Sequence, residues 1–561
     1  MPLEYLLFLG VLLALAGPVG LYVFRVFERR GTFLDRFLCP VERALHRLGG
    51  IDPTQEMTAG AYLASFAIFG ALGTLFLLLL LLFQSWLPGG PDTRFITTPM
   101  SIDLAANTAI SFATTTTWQA YAGESTLRYV TQAVGLVSQN FLAGAAGLAV
   151  GIAFMRGFAR ERASTLGNFW IDLIRGLLWV LLPASVVGGL ILVWQGVPVN
   201  LSPYVETRTL EGAHQVIAQG PAATLEFIKN LGTNGGGFFN ANGAHPYANP
   251  TPMTNFLGML AIAAVPAALT ITFGHMIGRP KAGVALLAVM VVLFVAGLTI
   301  CDLTESASAP LTSHNGIAQE NMEGKDVRFG VGSSVLTAVV TSNGATGSFN
   351  SMHDSYRPVS LFVLVLNMLL GEIVFGGLGS GLYSMVMIAL VGIVVAGLMI
   401  GRTPEYLGKT IRSEEMRLIA LYTLLTPMVV LSLAAAAVVS QSGRAGLVTN
   451  TGAHGFTEIL FAYASSMANN GQSMAGLAAN NVFYNVTTAV AMLAGRFGLA
   501  AFALLLAGRF AQQGRTPMTA GSLPCDTPTF GVLVLGSVVM TAALSFLPAL
   551  ALGPIVEHLL R

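Results

Sequence analysis

Long apolar runs and short polar connections alternate along this chain. Eleven runs are near the roughly 17 to 25 residues that cross a bilayer: Leu6–Phe24, Tyr62–Phe83, Tyr129–Met155, Ile171–Trp194, Phe256–Ile277, Gly283–Ile300, Val359–Phe375, Leu382–Ile400, Leu418–Val439, Val482–Gly508 and Phe530–Leu552. Val359–Ile400 is the odd pair: as one straight helix it would span roughly 63 Å, about twice the hydrocarbon core. Its middle reads "GEIVFGGLGSGLYS", with Gly371, Gly376, Gly377, Gly379 and Gly381. The expectation is one crossing broken by a glycine-rich segment at membrane depth, hence ten crossings.

Positive charge gathers in alternate connections. Arg25, Arg29, Arg30, Arg36, Arg43 and Arg47 follow the first run, and Arg156, Arg160 and Arg162 the third. Arg279 and Lys281 follow the fifth, Arg402, Lys409, Arg412 and Arg417 the eighth, and Arg509 and Arg515 the tenth. These are seventeen of the 28 basic residues, and the excess marks a cytoplasmic side. The first run has Glu4 before it and its arginines after it, so it reads as an anchor, not a cleaved signal. Both termini are expected outside the cytoplasm.

Four connections on the opposite side follow one plan: an amphipathic stretch, then a knot of Thr, Ser, Asn and Gly, then the next span. The knots are "TTTTWQAY" (Thr114–Tyr121), "GTNGGG" (Gly232–Gly237), "TSNGATGS" (Thr341–Ser348) and "ANNGQS" (Ala468–Ser473). With Gln119, Gly235, Gly344 and Gly471 as equivalent points, the three steps between them are similar in length. This is a tandem repeat of span, pore loop and span. Four re-entrant loops about one axis would present backbone carbonyls able to replace the water around a bare K⁺. A single polar turn with Gly and Asn would be ordinary; four at matching positions are not.

Composition agrees with the pattern. Hydrophobic residues make up 54% of the 561 residues and charged ones only 10%, with mean hydropathy +0.70. A soluble chain carries about 25% charged residues. Three scattered cysteines, Cys39, Cys301 and Cys525, imply no disulfide scaffold. A net charge of +1 without a basic patch argues against nucleic acid. The fold class expected is an all-α polytopic membrane protein of ten transmembrane helices. Four span–pore-loop–span repeats in pseudo-fourfold arrangement would fill it, with one extra helix at each end. The boundaries read are 1–56, 57–165, 166–282, 283–413, 414–515 and 516–561.

"STLGNFWIDLIR" (Ser164–Arg175), "GTNGGGFFNAN" (Gly232–Asn242), "NMEGKDVRFG" (Asn321–Gly330), "MHDS" (Met352–Ser355), "GEIVFGGLGSGLY" (Gly371–Tyr383) and "GLMIGRTPEYLGK" (Gly397–Lys409) carry a resemblance, with "GRFG" (Gly495–Gly498) and "ALALGPIVEHL" (Ala549–Leu559) completing it. The chain resembles, end to end, the potassium-binding A subunits of the bacterial Kdp complex, a K⁺-transporting P-type ATPase of the inner membrane. The resemblance implies a channel-like, non-catalytic subunit beside a catalytic P-type subunit (B), a mostly extracytoplasmic subunit (C) and a small single-span subunit (F). It implies a selectivity filter at Thr114, Thr115, Thr116, Thr117 and Gln119, at Thr233, Asn234 and Gly235, at Ser342, Asn343 and Gly344, and at Asn469, Asn470 and Gly471. The first loop carries threonines where the family commonly interleaves asparagines, and Asn343 stands where a smaller residue is expected.

Arg496, deep in Val482–Gly508, reads either as half of a buried ion pair or, by the resemblance, as a cation barrier below the filter. Glu372 and the glycines Gly376, Gly377, Gly379 and Gly381 read as gate or pore; Glu372 would attract K⁺ or pair with Arg402. Arg402 and Glu405, at the inner boundary, read as a subunit contact or inner gate, or as simple anchoring. His353 and Asp354 read as a loop hydrogen bond, with no further metal ligands nearby in sequence. Lys325 and Arg328 read as loop-fixing partners of neighbouring acids. "LGKT" (Leu407–Thr410) lacks the first glycine of a phosphate loop, Thr403 standing there, so no ATP site is expected. No cofactor is expected, only K⁺ as transported ion. The rival reading is a self-sufficient K⁺ channel or ion-coupled transporter of the same superfamily; a haem or iron–sulfur protein lacks the histidine pairs and cysteine clusters it needs.

Overall fold

In the computed structural model the described residues are 2–560 apart from 88–89, 91–92, 308–320 and 517–523; part of the expected 301–357 connection thus lies outside them. The chain is an all-α polytopic membrane protein. Among the described residues ten helices are long and apolar enough to cross a membrane: Leu3–Phe27, Ala59–Leu82, Thr131–Ala159, Phe169–Trp194, Pro252–Met276, Pro280–Glu305, Ser380–Ile400, Ser413–Val439, Val482–Gln512 and Pro528–Leu560.

Burial sorts eight of them into two layers. In an apolar eighteen-residue stretch of each of Thr131–Ala159, Pro252–Met276, Ser380–Ile400 and Val482–Gln512, 89, 67, 61 and 56% of the residues are buried, and each helix follows a pore loop. In the corresponding stretches of Ala59–Leu82, Phe169–Trp194, Pro280–Glu305 and Ser413–Val439, each before a pore loop, only 22, 39, 39 and 22% are buried. The inner helices meet protein over more of their surface than the outer ones do, Thr131–Ala159 nearly all round, while Val482–Gln512 keeps exposed apolar side chains at Val486 and Val490; a helix that is apolar all round is a buried one. Small residues let backbones close in: a Cβ on Gly157 would strike Ala507, and one on Gly151 would strike Gly379.

Between each outer and inner helix a shorter helix enters from the same face: Ile102–Ala113, Ala223–Leu231, Gly330–Asn343 and Gly452–Ala468. The first is capped by Ser101, whose hydroxyl accepts from the Leu104 amide. Each ends at or just inside a polar knot, the third running through Thr341–Asn343 of its own, so the partially negative C-terminal ends point at the knots.

The expected break is present. Pro358–Leu369 and Ser380–Ile400 measure roughly 18 and 32 Å at 1.5 Å per residue. Between them Gly371, Glu372, Phe375 and Gly379 take φ of +76°, +53°, +49° and +89°. Left-handed backbone of this kind cannot continue a right-handed helix.

Both chain ends reach the pore-loop face. Tyr5 donates to Asp302 at 2.8 Å, Ser333 donates to Glu4 at 2.9 Å, and Glu557 meets His454 at 3.0 Å. The opposite face holds the arginine-rich connections. There Arg156 clasps Asp172 through both nitrogens at 2.6 and 2.9 Å, Arg175 holds Glu42, and Arg160 holds Glu56. A hairpin of Glu405–Tyr406 and Lys409–Thr410 lies on that face.

Candidate functional site

The four knots meet. Thr115, Thr233, Ala345 and Asn469 open four equivalent triplets, with φ of +63°, +50°, +49° and +58°. Two residues on, Thr117, Gly235 and Gly471 are again left-handed, at +49°, +92° and +91°. Alternating the sign of φ turns successive peptide groups the same way. Threonine is β-branched and rarely tolerates positive φ; each such residue costs on the order of 1–2 kcal/mol and persists only where its surroundings fix it.

The surroundings form a closed cycle. Thr117 Oγ1 donates to the Asn234 carbonyl at 2.6 Å, joining loop one to loop two. Gly235 and Gly347 bridge in parallel, with the Gly236 amide 3.2 Å from the Gly347 carbonyl, joining two to three. Asn470 Nδ2 donates to the Thr341 carbonyl at 2.9 Å, joining three to four. Asn469 Nδ2 donates to Thr116 Oγ1 at 3.0 Å, joining four back to one. A Cβ on Gly235 or Gly471 would overlap the neighbouring loop's backbone, so glycine is required there twice over.

Three of the expected triplets sit in this ring; the third is displaced. Ser342 and Asn343 are the last residues of the helix Gly330–Asn343, and Gly344 caps it through its amide to Val340. Asn343 spends its side chain on the carbonyl of Val339, 2.9 Å away in its own helix. Ala345, Thr346 and Gly347 take the ring position instead. Thr117, Gly235, Gly347 and Gly471 are then the equivalent points, spaced more evenly along the chain than those chosen from the sequence. The overlooked signal was the second glycine of "GATG". Thr114 lies one residue ahead of its triplet, donating to Ile110 O at 2.8 Å. Gln119 is a brace: its Oε1 accepts from Gly237 N at 2.8 Å and its Nε2 donates to Gly237 O at 3.2 Å.

A polar shell holds the ring from behind. Lys229 and Glu226 form a buried pair at 2.6 Å. Lys229 also donates to Asn242 Oδ1 at 2.8 Å, and Asn242 Nδ2 donates to the carbonyls of Gly236 and Gly347 at 2.7 and 2.9 Å. The Asn234 amide nitrogen reaches the carbonyls of Gly232 and Asn140 at 3.0 and 3.1 Å. Lys229 and Asn242 were not singled out in the sequence; far apart along loop two, they meet only because the loop doubles back.

Beneath the ring Thr115, Ala345, Asn469, Glu372, Tyr383 and Arg496 line one small cavity of about 20 Å³, room for about one water. Glu372 Oε1 accepts from Asn470 Nδ2 at 2.7 Å. The alternative partner, Arg402, is exposed on the far face, and Glu405 stands in the hairpin there. Arg496 sits in a π-helical turn, Ala494–Gly498, a device that re-aims a side chain. Its Nη2 donates to Ala143 O at 2.6 Å and its guanidinium lies 5.6 Å over the Phe66 ring; its Nε has no hydrogen-bond partner. Among the described residues no carboxylate comes within ion-pair distance of it, so the ion-pair reading falls.

The glycines of the break allow close approach. Gly376 and Gly381 pack backbone to backbone, Gly377 faces Ala345, and Gly379 rests on Gly147 and Gly151. The Leu378 amide donates to Thr233 Oγ1 at 2.9 Å, tying the break to loop two. Above the ring a cavity of about 750 Å³ opens on the pore-loop face, lined among others by Gln119, Tyr121, Asn240, Asp326, Ser473 and Asn480.

Elsewhere on that face Arg328 pairs with its neighbour Asp326 at 2.8 Å, as the sequence suggested, whereas Lys325 pairs at 3.1 Å with Glu305, at the end of the helix Pro280–Glu305. Asp354 departs from its reading: His454 and Glu458, about a hundred residues on, stand beside it.

The profile of the family described as Potassium-transporting ATPase A subunit matches residues 6–559. A potassium-transporting ATPase potassium-binding subunit of Methylorubrum extorquens is 48% identical over 556 residues, covering 99% of this chain and 97% of that protein. Proteins of the same description from Solibacter usitatus and Laribacter hongkongensis are 47 and 48% identical, covering 100 and 99% of this chain and 98 and 97% of their own lengths.

Proposed function

This chain belongs to the family of potassium-transporting ATPase A subunits, and we propose on that premise that it binds K⁺ and passes it inward as the channel-like subunit of an ATP-driven uptake complex. The observation that supports this reading best is the closed cycle of four triplets over a cavity holding one carboxylate. K⁺ from the extracytoplasmic side loses its water to ring carbonyls at Thr115–Thr117, Thr233–Gly235, Ala345–Gly347 and Asn469–Gly471. The C-terminal ends of four short helices and Glu372 favour the cation beneath.

The broken third-repeat helix blocks the axial route, and the fixed charge of Arg496 opposes leakage past it. The ion therefore leaves sideways, through the membrane, to a separate catalytic P-type subunit (B) that hydrolyses ATP. This chain is assigned no ATP site, no catalysis of its own and no resident cofactor. A mostly extracytoplasmic subunit (C) and a small single-span subunit (F) complete the assembly. By the positive-inside rule the arginine-rich face is cytoplasmic, both termini lie outside, and the membrane is the bacterial inner one. Arg402 and Glu405, exposed or half-exposed on the cytoplasmic face, serve as a subunit contact or inner gate.

The test is the ATPase activity of the co-purified complex against K⁺, for wild type and Gly235→Asp. Stimulation of the wild type by low K⁺, with the variant needing at least tenfold more K⁺ or accepting Rb⁺, supports the reading. If no ATPase partner co-purifies and the chain alone conducts K⁺ in vesicles, it is a channel or ion-coupled transporter, and the sideways transfer is wrong.

A further inference from the structure

On the pore-loop face, apart from the ring, three elements converge on one imidazole. Asp354 lies in the short turn His353–Ser355; His454 and Glu458 lie one turn apart on the helix Gly452–Ala468; Glu557 lies in the closing helix Val556–Leu560. His454 Nε2 is 3.0 Å from Asp354 Oδ1 and 4.0 Å from Glu458 Oε1. One donor atom from each of Asp354, His454 and Glu458 lies within 4.8 Å of the others. On the far side of the ring, Nδ1 is 3.0 Å from Glu557 Oε1.

Two facts set this cluster apart from an ordinary surface pair. Three carboxylates surround a single imidazole, so the group stays anionic in either protonation state of the histidine. Glu458 is 1% exposed, and while its Oε1 accepts from Asn450 at 2.7 Å, its Oε2 has no hydrogen-bond partner. A buried carboxylate oxygen left unpartnered among other acids is costly unless a cation faces it.

The donor set selects the cation. Ligand atoms about 2.0–2.1 Å from a tetrahedral zinc ion stand about 3.3 Å apart; the separations of 3.0 and 4.0 Å from Nε2 bracket that value. One nitrogen and two carboxylates suit a first-row dication, whereas Ca²⁺ and Mg²⁺ take all-oxygen shells. A histidine that ligates through Nε2 while Nδ1 donates to a carboxylate is the usual outer support of such sites. We propose that Asp354, His454 and Glu458 form a site for a divalent first-row transition cation, Zn²⁺ fitting it best, with Glu557 positioning the imidazole. The site would staple the third pore loop, the fourth pore helix and the last helix on the pore-loop face, and it is independent of how K⁺ leaves the ring.

The experiment uses the complete complex, purified without a histidine tag and stripped with a chelator. Zn²⁺ is titrated in competition with a chromophoric chelator, and bound metal is counted by elemental mass spectrometry. Wild type is expected to take up one Zn²⁺ attributable to this chain, undisturbed by a hundredfold excess of Mg²⁺ or K⁺, and to gain several degrees in Tm. Co²⁺ in the same site should show the visible bands of a low-coordinate ion. Glu458→Gln, which keeps the acceptor for Asn450, and Asp354→Asn should each weaken binding at least tenfold, and His454→Gln should abolish it. Glu557→Gln should weaken it about 10- to 100-fold while keeping the stoichiometry. Wild type that takes up no Zn²⁺ at micromolar concentration, or an Asp354, Glu458 and His454 series that binds as tightly as wild type, overturns the proposal, whatever the K⁺ dependence of the ATPase.

Discussion

Asn470 and Glu372 are joined by a single hydrogen bond of 2.7 Å, and the same amide nitrogen reaches the Thr341 carbonyl at 2.9 Å. One side chain of loop four thus holds the wall of loop three and the only carboxylate beneath the ring among the described residues. That link ties the ring above to the broken helix below.

Glu372→Gln keeps an acceptor for Asn470 but removes the charge. The K⁺ concentration for half-maximal ATPase activity of the complex is expected to rise about tenfold, equivalent to ~1.4 kcal/mol of binding, with little change in Tm. Unchanged K⁺ dependence would make Glu372 a structural brace only.

Gly347 and Asn343 should separate cleanly. Gly347 faces the Asn470 carbonyl and Gly471 at about contact limit, so Gly347→Ala has no room. It should raise the K⁺ requirement or admit Rb⁺ by at least tenfold. Asn343→Ala removes only a bond to its own helix, worth about 1 kcal/mol, and should leave ion preference within threefold. The reverse ranking, read from K⁺- and Rb⁺-dependent ATPase activity, would return the filter to Ser342–Gly344.

Lys229→Met strands Glu226 as an uncompensated buried charge and frees Asn242. The expected loss is about 3–5 kcal/mol, as for other broken buried pairs, seen as a drop in Tm. The double variant Lys229→Met, Glu226→Gln should recover much of the stability but not the K⁺ affinity, because Asn242 still lacks its anchor.

Arg496→Met removes the fixed charge below the ring. Vesicles carrying the complex without ATP should then leak K⁺, by a dye or tracer measurement, while Arg496→Lys stays tight. A tight Met variant would assign Arg496 to packing against Phe66 and Ala143 alone.

His245 stacks on Phe239 at 3.8 Å, and its Nδ1 accepts from the Tyr247 amide. Burial, aided by Arg328, lowers its pKa from 6.5 to about 4. Above pH 6.5 the imidazole is neutral folded or unfolded, and its contribution is complete. Between pH 6.5 and 4 the unfolded chain takes up the proton and the folded one does not, so stability falls with pH. Thermal melts across this window should show a steeper acid loss in wild type than in His245→Gln.

Sequence alone determined the ten membrane-length helices found among the described residues, the charge-rich face, the glycine break and the four short helices with polar ends. Each of these is a local quantity: an apolar run long enough to span, a count of arginines, a cluster of glycines in a hydrophobic stretch. In loops two and four it also picked out the triplets that lie in the ring, and in loop one a longer stretch that contains one, because their polar residues stand directly after the helix. The third was misplaced because Ser342 and Asn343 look like loop residues yet are held in the helix by its last turn, and only contact with Gly235 and Gly471 fixes Gly347 as its counterpart. Glu372's choice of Asn470 over Arg402, the support of Asn242 by Lys229, and the meeting of Asp354 with His454 and Glu458 were likewise decided by tertiary structure. Each depends on which loop lies beside which around a closed cycle, and no single segment encodes that order.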